Sequence, residues 1–317
     1  MVVPANTVQT YAQVGIREDL SDVVSKIDIT EVQFQSNIGK SKMTARYHEW
    51  QIQPLAAASP TNAVVEGDDT AAQAATPRVR VGNRSQIAKK SGTVSGSAQA
   101  VDVAGVSDEL DEQKILKGLE LRRDVEATLL QNTAASAGSS STAGTAAGIE
   151  SWLTSNVSRG TSGANGGFSG GVVSAPTDGT QRAFAQSQLD AVMQSCFSNG
   201  GKPTMLFLGP AQKTAFSAFT GIALNRVDNP KDTQVTIVGG ADVYLSNFGK
   251  LSVVPSIFQR NRTALLIDPK MVKKANLRKM FTEMLAKTGD ADKFHVIEEF
   301  TLEVTNEKAH GLIADLT

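Results

Sequence analysis

The chain has 317 residues, 40% of them hydrophobic, enough to bury a sizeable core and too many for wholesale disorder. Its 31 lysines and arginines against 32 acids leave a net charge of −1, without the basic excess of a dedicated nucleic-acid binder. A single cysteine, Cys196, excludes an intrachain disulfide, and its neighbours Val192, Met193 and Phe197 mark it as a small buried hydrophobe.

Met1 to Leu20 shows no basic stretch followed by an apolar run, so it does not read as a signal peptide. No window approaches the roughly 18 apolar residues of a membrane helix, and the expectation is a soluble protein made in a cytoplasm. Residues 1–41 read as an arm: Val14, Ile16 and Leu20 could line a short helical face, but polar residues dominate and no core closes there. Residues 43–53 and 78–94 read as strands, the second opening with Val79 and Val81 alternating against Arg78 and Arg80. Between them lies a tract rich in Ala, Thr, Asp and Pro. A two-stranded ribbon with so long a tip cannot bury its own apolar face, so it is expected to project and pack on another chain.

Residues 107–131 predict a long helix. Ser107 can cap it, Asp108, Glu109, Asp111 and Glu112 sit at its positive end, and Leu110, Ile115, Leu116, Leu119, Val125, Leu129 and Leu130 form an apolar stripe. Residues 133–179 are rich in Gly and Ser and predict loop, with Gly148 to Leu153 as an island that docks Trp152. From 180 onward the pattern is α/β. A helix through Leu189, Val192 and Met193 stops at Gly200-Gly201, Met205 to Leu208 is a strand, and a helix from Pro210 carries Phe216 and Phe219. Val235–Val238 and Ala241–Leu245 flank Gly239-Gly240 as a hairpin, and Leu251–Val254 and Thr263–Ile267 are strands. The tail predicts strands at 280–281, 294–297, 300–304 and 312–313.

Motifs that could carry chemistry are weak. Gly167-Phe-Ser-Gly-Gly171 matches the hydrolase elbow in letters, but its Gly/Ser setting offers no strand and helix to strain the turn around Ser169. Gly39-Lys40-Ser41 lacks the earlier glycine of a phosphate loop, position 34 being Phe34. His48, His295 and His310 show no metal-ligand spacing and read as partly exposed strand residues; Asp68-Asp69 and Glu298-Glu299 read as solvated pairs. No cofactor, metal or catalytic residue is expected. Between residues 70 and 101 stand Arg78, Arg80, Arg84, Lys89 and Lys90 with no acid. This run reads as a solvated strand face or as a surface pairing with acids of a neighbouring subunit. Nucleic-acid contact is a third reading, disfavoured by the lack of interleaved aromatics.

Several stretches, in this order, are similar to phage head proteins: Gln9 to Leu20, Ile27-Asp-Ile-Thr-Glu31, Ser36-Asn-Ile-Gly39, Tyr47-His-Glu-Trp50, Val65-Glu-Gly67, Ser107-Asp-Glu-Leu110 and Leu121-Arg-Arg-Asp-Val125. Leu285 to Asp290 and Leu302 to Gly311 resemble the C-terminal strands of that family. The chain thus resembles the major capsid proteins of tailed bacteriophages. The resemblance implies an α+β protein with the Hong-Kong-type capsid fold: an N-terminal arm (1–41), an extended β-hairpin loop (42–97), a peripheral domain with a spine helix (98–180), an axial α/β domain (181–268) and return strands (269–317). It implies a virion subunit that self-assembles into pentamers and hexamers, with an encapsulin-like compartment shell as the alternative. Implied partners are a separate scaffolding protein, a portal protein, a decoration protein and enclosed double-stranded DNA bound without sequence preference, with no membrane. Tyr47, Trp50, Arg78, Val79, Arg80, Val81 and Arg84 are the candidate assembly-interface residues.

Overall fold

A computed structural model describes residues 31–69, 74–219 and 242–317. The expected arm lies outside the described residues up to residue 30, but its last part joins the body. Helix α1 (Gln33–Asn37) and strand β1 (Gly39–Lys42) follow each other, and Phe34 on α1 is fully buried. The expectation that no core closes before residue 41 is therefore corrected at Phe34, whose burial removes a large apolar ring from water.

Strand β2 (Tyr47–Ile52) pairs antiparallel with β3 (Val79–Arg84), Tyr47 opposite Arg84 and Ile52 opposite Val79. The single strand expected over 78–94 is in fact two. At Ser85 the chain leaves the ribbon: its N–H donates to the Arg46 carbonyl at 2.8 Å and its hydroxyl to Glu299 at 2.9 Å. It then enters β4 (Gln86–Ser95), part of a four-stranded sheet ordered β1-β12-β13-β4 with β12 (Val272–Leu285) and β13 (Ala291–Val304). The segments expected at 294–297 and 300–304 are one continuous strand, since Phe294, Val296, Phe300 and Leu302 keep one alternation.

After the short helix α2 (Gly96–Ala100), helix α3 (Glu109–Leu130) packs on this sheet through Leu121 against Phe294 and Val296. Its cap is Asp108 rather than Ser107, with the carboxylate accepting the N–H groups of Leu110 at 2.8 Å and Asp111 at 3.2 Å. Three acids in the first turn complement the dipole. Leu116→Pro would remove a main-chain bond to the preceding turn and is expected to cost about 3 kcal/mol or more. The readout is loss of soluble subunit or a lowered Tm; an unchanged Tm would mean that the two halves of α3 are independent.

The remaining elements build a six-stranded sheet ordered β5-β14-β11-β8-β10-β9. Helix α4 (Ile149–Trp152), strand β5 (Val157–Ser158) and a small hairpin of β6 (Gly167–Ser169) and β7 (Val172–Ser174) come from the Gly/Ser tract. Helix α5 (Gln186–Ser198), β8 (Met205–Leu208), helix α6 (Pro210–Ser217), β9 (Val243–Ser246), β10 (Gly249–Pro255) and β11 (Thr263–Ile267) follow, and β14 (Gly311–Ala314) completes the sheet. Alternate residues of these strands serve two cores. Leu206, Leu208, Leu266 and Ile313 meet α5 and α6. Phe207, Leu265, Ile267 and Leu312 point the other way, toward Phe34, Leu129, Trp152 and Phe300.

The first strand and turn of the hairpin expected around Gly239-Gly240 lie outside the described residues; β9 pairs with β10 across Asn247-Phe248. One expectation is corrected here. Gly311–Ala314 joins the six-stranded sheet between β5 and β11, so it does not return with the strands of 272–304.

The Gly/Ser tract is mostly irregular, yet it is clamped by two buried carboxylates. Asp315, fully buried at a φ of 61°, accepts the N–H groups of Gly179 at 2.7 Å and Gly160 at 3.0 Å. A Cβ at Gly160 would stand 2.0 Å from the Thr180 carbonyl oxygen, so only glycine permits this approach. Glu150, also buried, accepts from Gln259 at 3.1 Å and Arg260 at 2.8 Å and from the Thr263 hydroxyl; Arg260 reaches on to Asp178.

Candidate assembly interface

The ribbon β2–β3 is bolted to the body at its root and uncovered at its tip. At the root, Trp50 donates its indole N–H to the Val304 carbonyl at 3.0 Å and lies 5.3 Å, centroid to centroid, from Trp152. Val81, opposite Trp50, is buried in the main core of its own subunit. This corrects the expectation that both valines lie on a neighbour. Tyr47 donates its hydroxyl to the Gly171 carbonyl at 3.1 Å, and Arg84 lies over the Tyr47 ring at 4.2 Å. Glu303 ties three elements together, meeting His48 at 3.2 Å, the Ser41 hydroxyl at 2.7 Å and Lys273 at 3.0 Å. The hydrogen bond from His48, with those from Ser41 and Lys273, holds the Glu303 carboxyl down at about 2.

Farther out the body no longer covers the strands. Val79 is 52% exposed although it shares a face with Val81; at its level Ile52 on the opposite strand is what still packs against the core. Arg78 is exposed and donates to Gln53 at 3.0 Å, while Arg80 pairs with Glu49 across the ribbon at 3.1 Å. Lys90 meets Asp124 at 2.8 Å. The acid-free run is thus partly neutralised within its own chain by acids distant in sequence. Sequence reasoning missed the tip itself, where Leu55 is 94% exposed and Val64 and Val65 are each 78% exposed. The available signal was three bulky aliphatics inside a tract of small and polar residues.

The other motifs resolve into structure. Ser169 ends β6, and Gly170-Gly171, at φ +58° and +83°, turn directly into β7 where a nucleophile elbow needs a helix. Gly39-Lys40-Ser41 is strand, parallel to β12. Glu298 and Glu299, expected to be solvated, are buried. Glu298 pairs with Lys274 at 2.7 Å, and Glu299 with Arg278 at 3.0 Å. His310, expected to be partly exposed, is fully buried. Among the described residues no cluster of His, Cys, Asp and Glu could hold a metal ion, and no helix is long and apolar enough to cross a membrane.

Known proteins of similar sequence and shape fit this architecture. A major capsid protein of Escherichia phage Phieco32 is 31% identical over 125 residues, which are 39% of this chain and only 36% of that protein. A solved structure from Gordonia phage Cozz superposes with a TM-score of 0.60 at 11% identity, over 95% of this chain and 91% of that one. The phage G gp27 major capsid proteins and gp26 decoration proteins give a TM-score of 0.54 at 10% identity, with 100% of both chains covered. The holo-SrpI encapsulin complex of Synechococcus elongatus gives 0.59 at 10% identity, covering 96% of each chain. These likenesses show the Hong-Kong-type capsid fold. The family model described as SU10 major capsid protein matches residues 3–317. The chain belongs to the SU10 major capsid protein family, a family of structural shell proteins and not of enzymes.

Proposed function

We propose that copies of this chain close, in rings of five and six, into the head of a tailed phage around double-stranded DNA, and that the ribbon tip is the principal contact between copies. The observation that carries this reading is the ribbon tip, where Leu55, Val64 and Val65 stand in solvent, uncovered by the described residues of their own subunit. In this reading the four-stranded sheet with α3 is the peripheral domain, and the six-stranded sheet with α5 and α6 is the axial domain. Tyr47, Trp50, Val81 and Arg84 aim the ribbon, while Arg78, Val79 and Arg80 line the contact with the next copy. Head-to-tail contacts of this kind generate closed rings. A separate scaffolding protein, a portal and a decoration protein complete the proposed set of partners, with assembly in the host cytoplasm. The near-neutral net charge supports DNA being enclosed and not gripped.

The double variant Val64→Asp with Val65→Asp tests this reading. Both side chains are exposed, so subunit stability should stay within about 0.5 kcal/mol of wild type. Co-expressed with its scaffolding partner, the variant should give soluble subunits and few or no shells in electron micrographs. Shells at wild-type yield would rule out the tip as the contact. The encapsulin likeness supports a second reading, a compartment shell. Purified native particles distinguish the two: nuclease-protected double-stranded DNA supports the head, and a protein cargo supports the compartment.

A further inference from the structure

Two of the connections between the two sheets run side by side. The β11–β14 ladder stops at Leu266 opposite Gly311, and the β12–β13 ladder begins at Val272 opposite Val304. In the gap each chain makes a 3-10 turn, Pro269–Met271 on one side and Glu307–Ala309 on the other. The turns are built alike: the Asp268 side chain caps Lys270 N–H and the Asn306 side chain caps Lys308 N–H, each at 3.1 Å. Two hydrogen bonds cross between the connections. Thr305 N–H donates to the Met271 carbonyl at 2.9 Å, and Asp268 N–H donates to Nδ1 of His310 at 3.2 Å.

We propose that the paired turns act as a local hinge and that His310 is its acid-released lock. Neutral, its Nδ1 accepts the Asp268 amide and holds the two connections together. Protonated, the same nitrogen carries a hydrogen and faces the amide donor to donor, so the bond is lost and the two connections can part locally, the shared core staying packed. The surroundings suit this role. The ring is fully buried, and its carbonyl is fixed by Asn156 at 2.8 Å and by the Cys196 thiol at 3.4 Å, so the backbone cannot follow a turning ring.

Titratable groups on the packed elements are Asp268 and Lys270, Glu307 and Lys308, Cys196 on α5 and Lys202 in the loop that follows it. Asp268 is used in its cap, Glu307 accepts the N–H groups of Thr154 and Ser155 at 3.2 Å, and burial holds the Cys196 thiol up at about 12. Among the described residues no carboxylate forms an ion pair with the ring. Burial therefore holds it down at about 4, opposed by the Met271 carbonyl. In an opened hinge the ring regains its ordinary value near 6.5. The opened form then gains about tenfold in population for each pH unit between roughly 6.5 and 4.

Hydrogen exchange of the full chain, followed by mass spectrometry between pH 7 and 5 and corrected for intrinsic rates, tests the lock. Protection of 266–272 and 304–311 should fall about tenfold or more in the wild type. In His310→Asn, whose Oδ1 can accept the same amide and does not titrate, protection should hold steady. His295→Gln, on the solvent-facing pair with Glu283, should respond as the wild type does. An unchanged acid response in His310→Asn overturns the proposal, as does a wild-type hinge that stays closed. Should His310→Asn fail to fold, the C2 proton of His310 can be titrated in the wild type. A value near 6.5 overturns the lock, and a depressed value with the hinge amides opening in step supports it.

Discussion

Replacing Arg260 with leucine is expected to destabilise the subunit by about 3–5 kcal/mol, because it strands a buried carboxylate. Glu150 is fully buried, and burial pushes its carboxyl up against the opposing pull of Arg260 and Thr263. With the guanidinium gone, Glu150 must either hold a charge out of water or take up a proton. Thr263 and Gln259, which bond each other at 2.7 Å, cannot replace the lost charge. The double variant Glu150→Leu with Arg260→Leu should recover most of the loss, since apolar pairs often substitute for buried ion pairs without penalty. Denaturant unfolding of the unassembled subunit checks both. A single variant within about 1 kcal/mol of wild type would mean that the network does not hold the Gly/Ser tract.

Phe34→Ala is the second large effect, again about 3–5 kcal/mol from the emptied volume and lost contacts. The ring meets Phe207 edge-on at 5.6 Å and lies where α3 and both sheets converge. Its amide and that of Gln35 donate to Glu126 on α3, at 2.5 Å and 3.0 Å. Without the ring, α1 is left to that carboxylate, to Gln35, which donates to the Arg122 carbonyl and accepts from Lys274, each at 3.0 Å, and to the buried Ile38. The variant should show a lowered unfolding midpoint and new protease cuts between residues 31 and 42. Wild-type protection there would show that the segment is held without the Phe34 ring, by the β12 pairing and the Ser41–Glu303 bond.

Legibility from sequence followed the range of the interactions. Helix α3 was readable because its cap, first-turn acids and apolar stripe all lie within its own residues. The ribbon was readable at Val79 and Val81 but not at Ser85, where one β pattern passes from one sheet to another. The bonds that force the step come from Arg46 and Glu299. Glu298 and Glu299 looked solvated because their counter-ions, Lys274 and Arg278, sit on the partner strand β12. Likewise the Gly/Ser tract has few apolar side chains of its own, and its order comes from Asp315 and Arg260, far along the chain. At the interface, Arg78 and Trp50 could be picked out, but which of them faces outward depends on how far the core reaches beneath the ribbon.

The placement of β14 and β13 bears on synthesis. Each is an interior strand of its sheet: β14 separates β5 from β11, and β13 separates β12 from β4. Both come after every other strand in chain order, so a nascent chain carries two open sheets until residues 291–314 have left the ribosome. Sequence-distant pairings of this kind close slowly and leave strand edges exposed in the meantime. The ribbon, by contrast, is made early and can pair locally. Its root cannot be seated before then, because Trp50 bonds the carbonyl of Val304 and His48 meets Glu303. Translation therefore acts as a timer, and a polypeptide still on the ribosome cannot yet aim its ribbon at a neighbour.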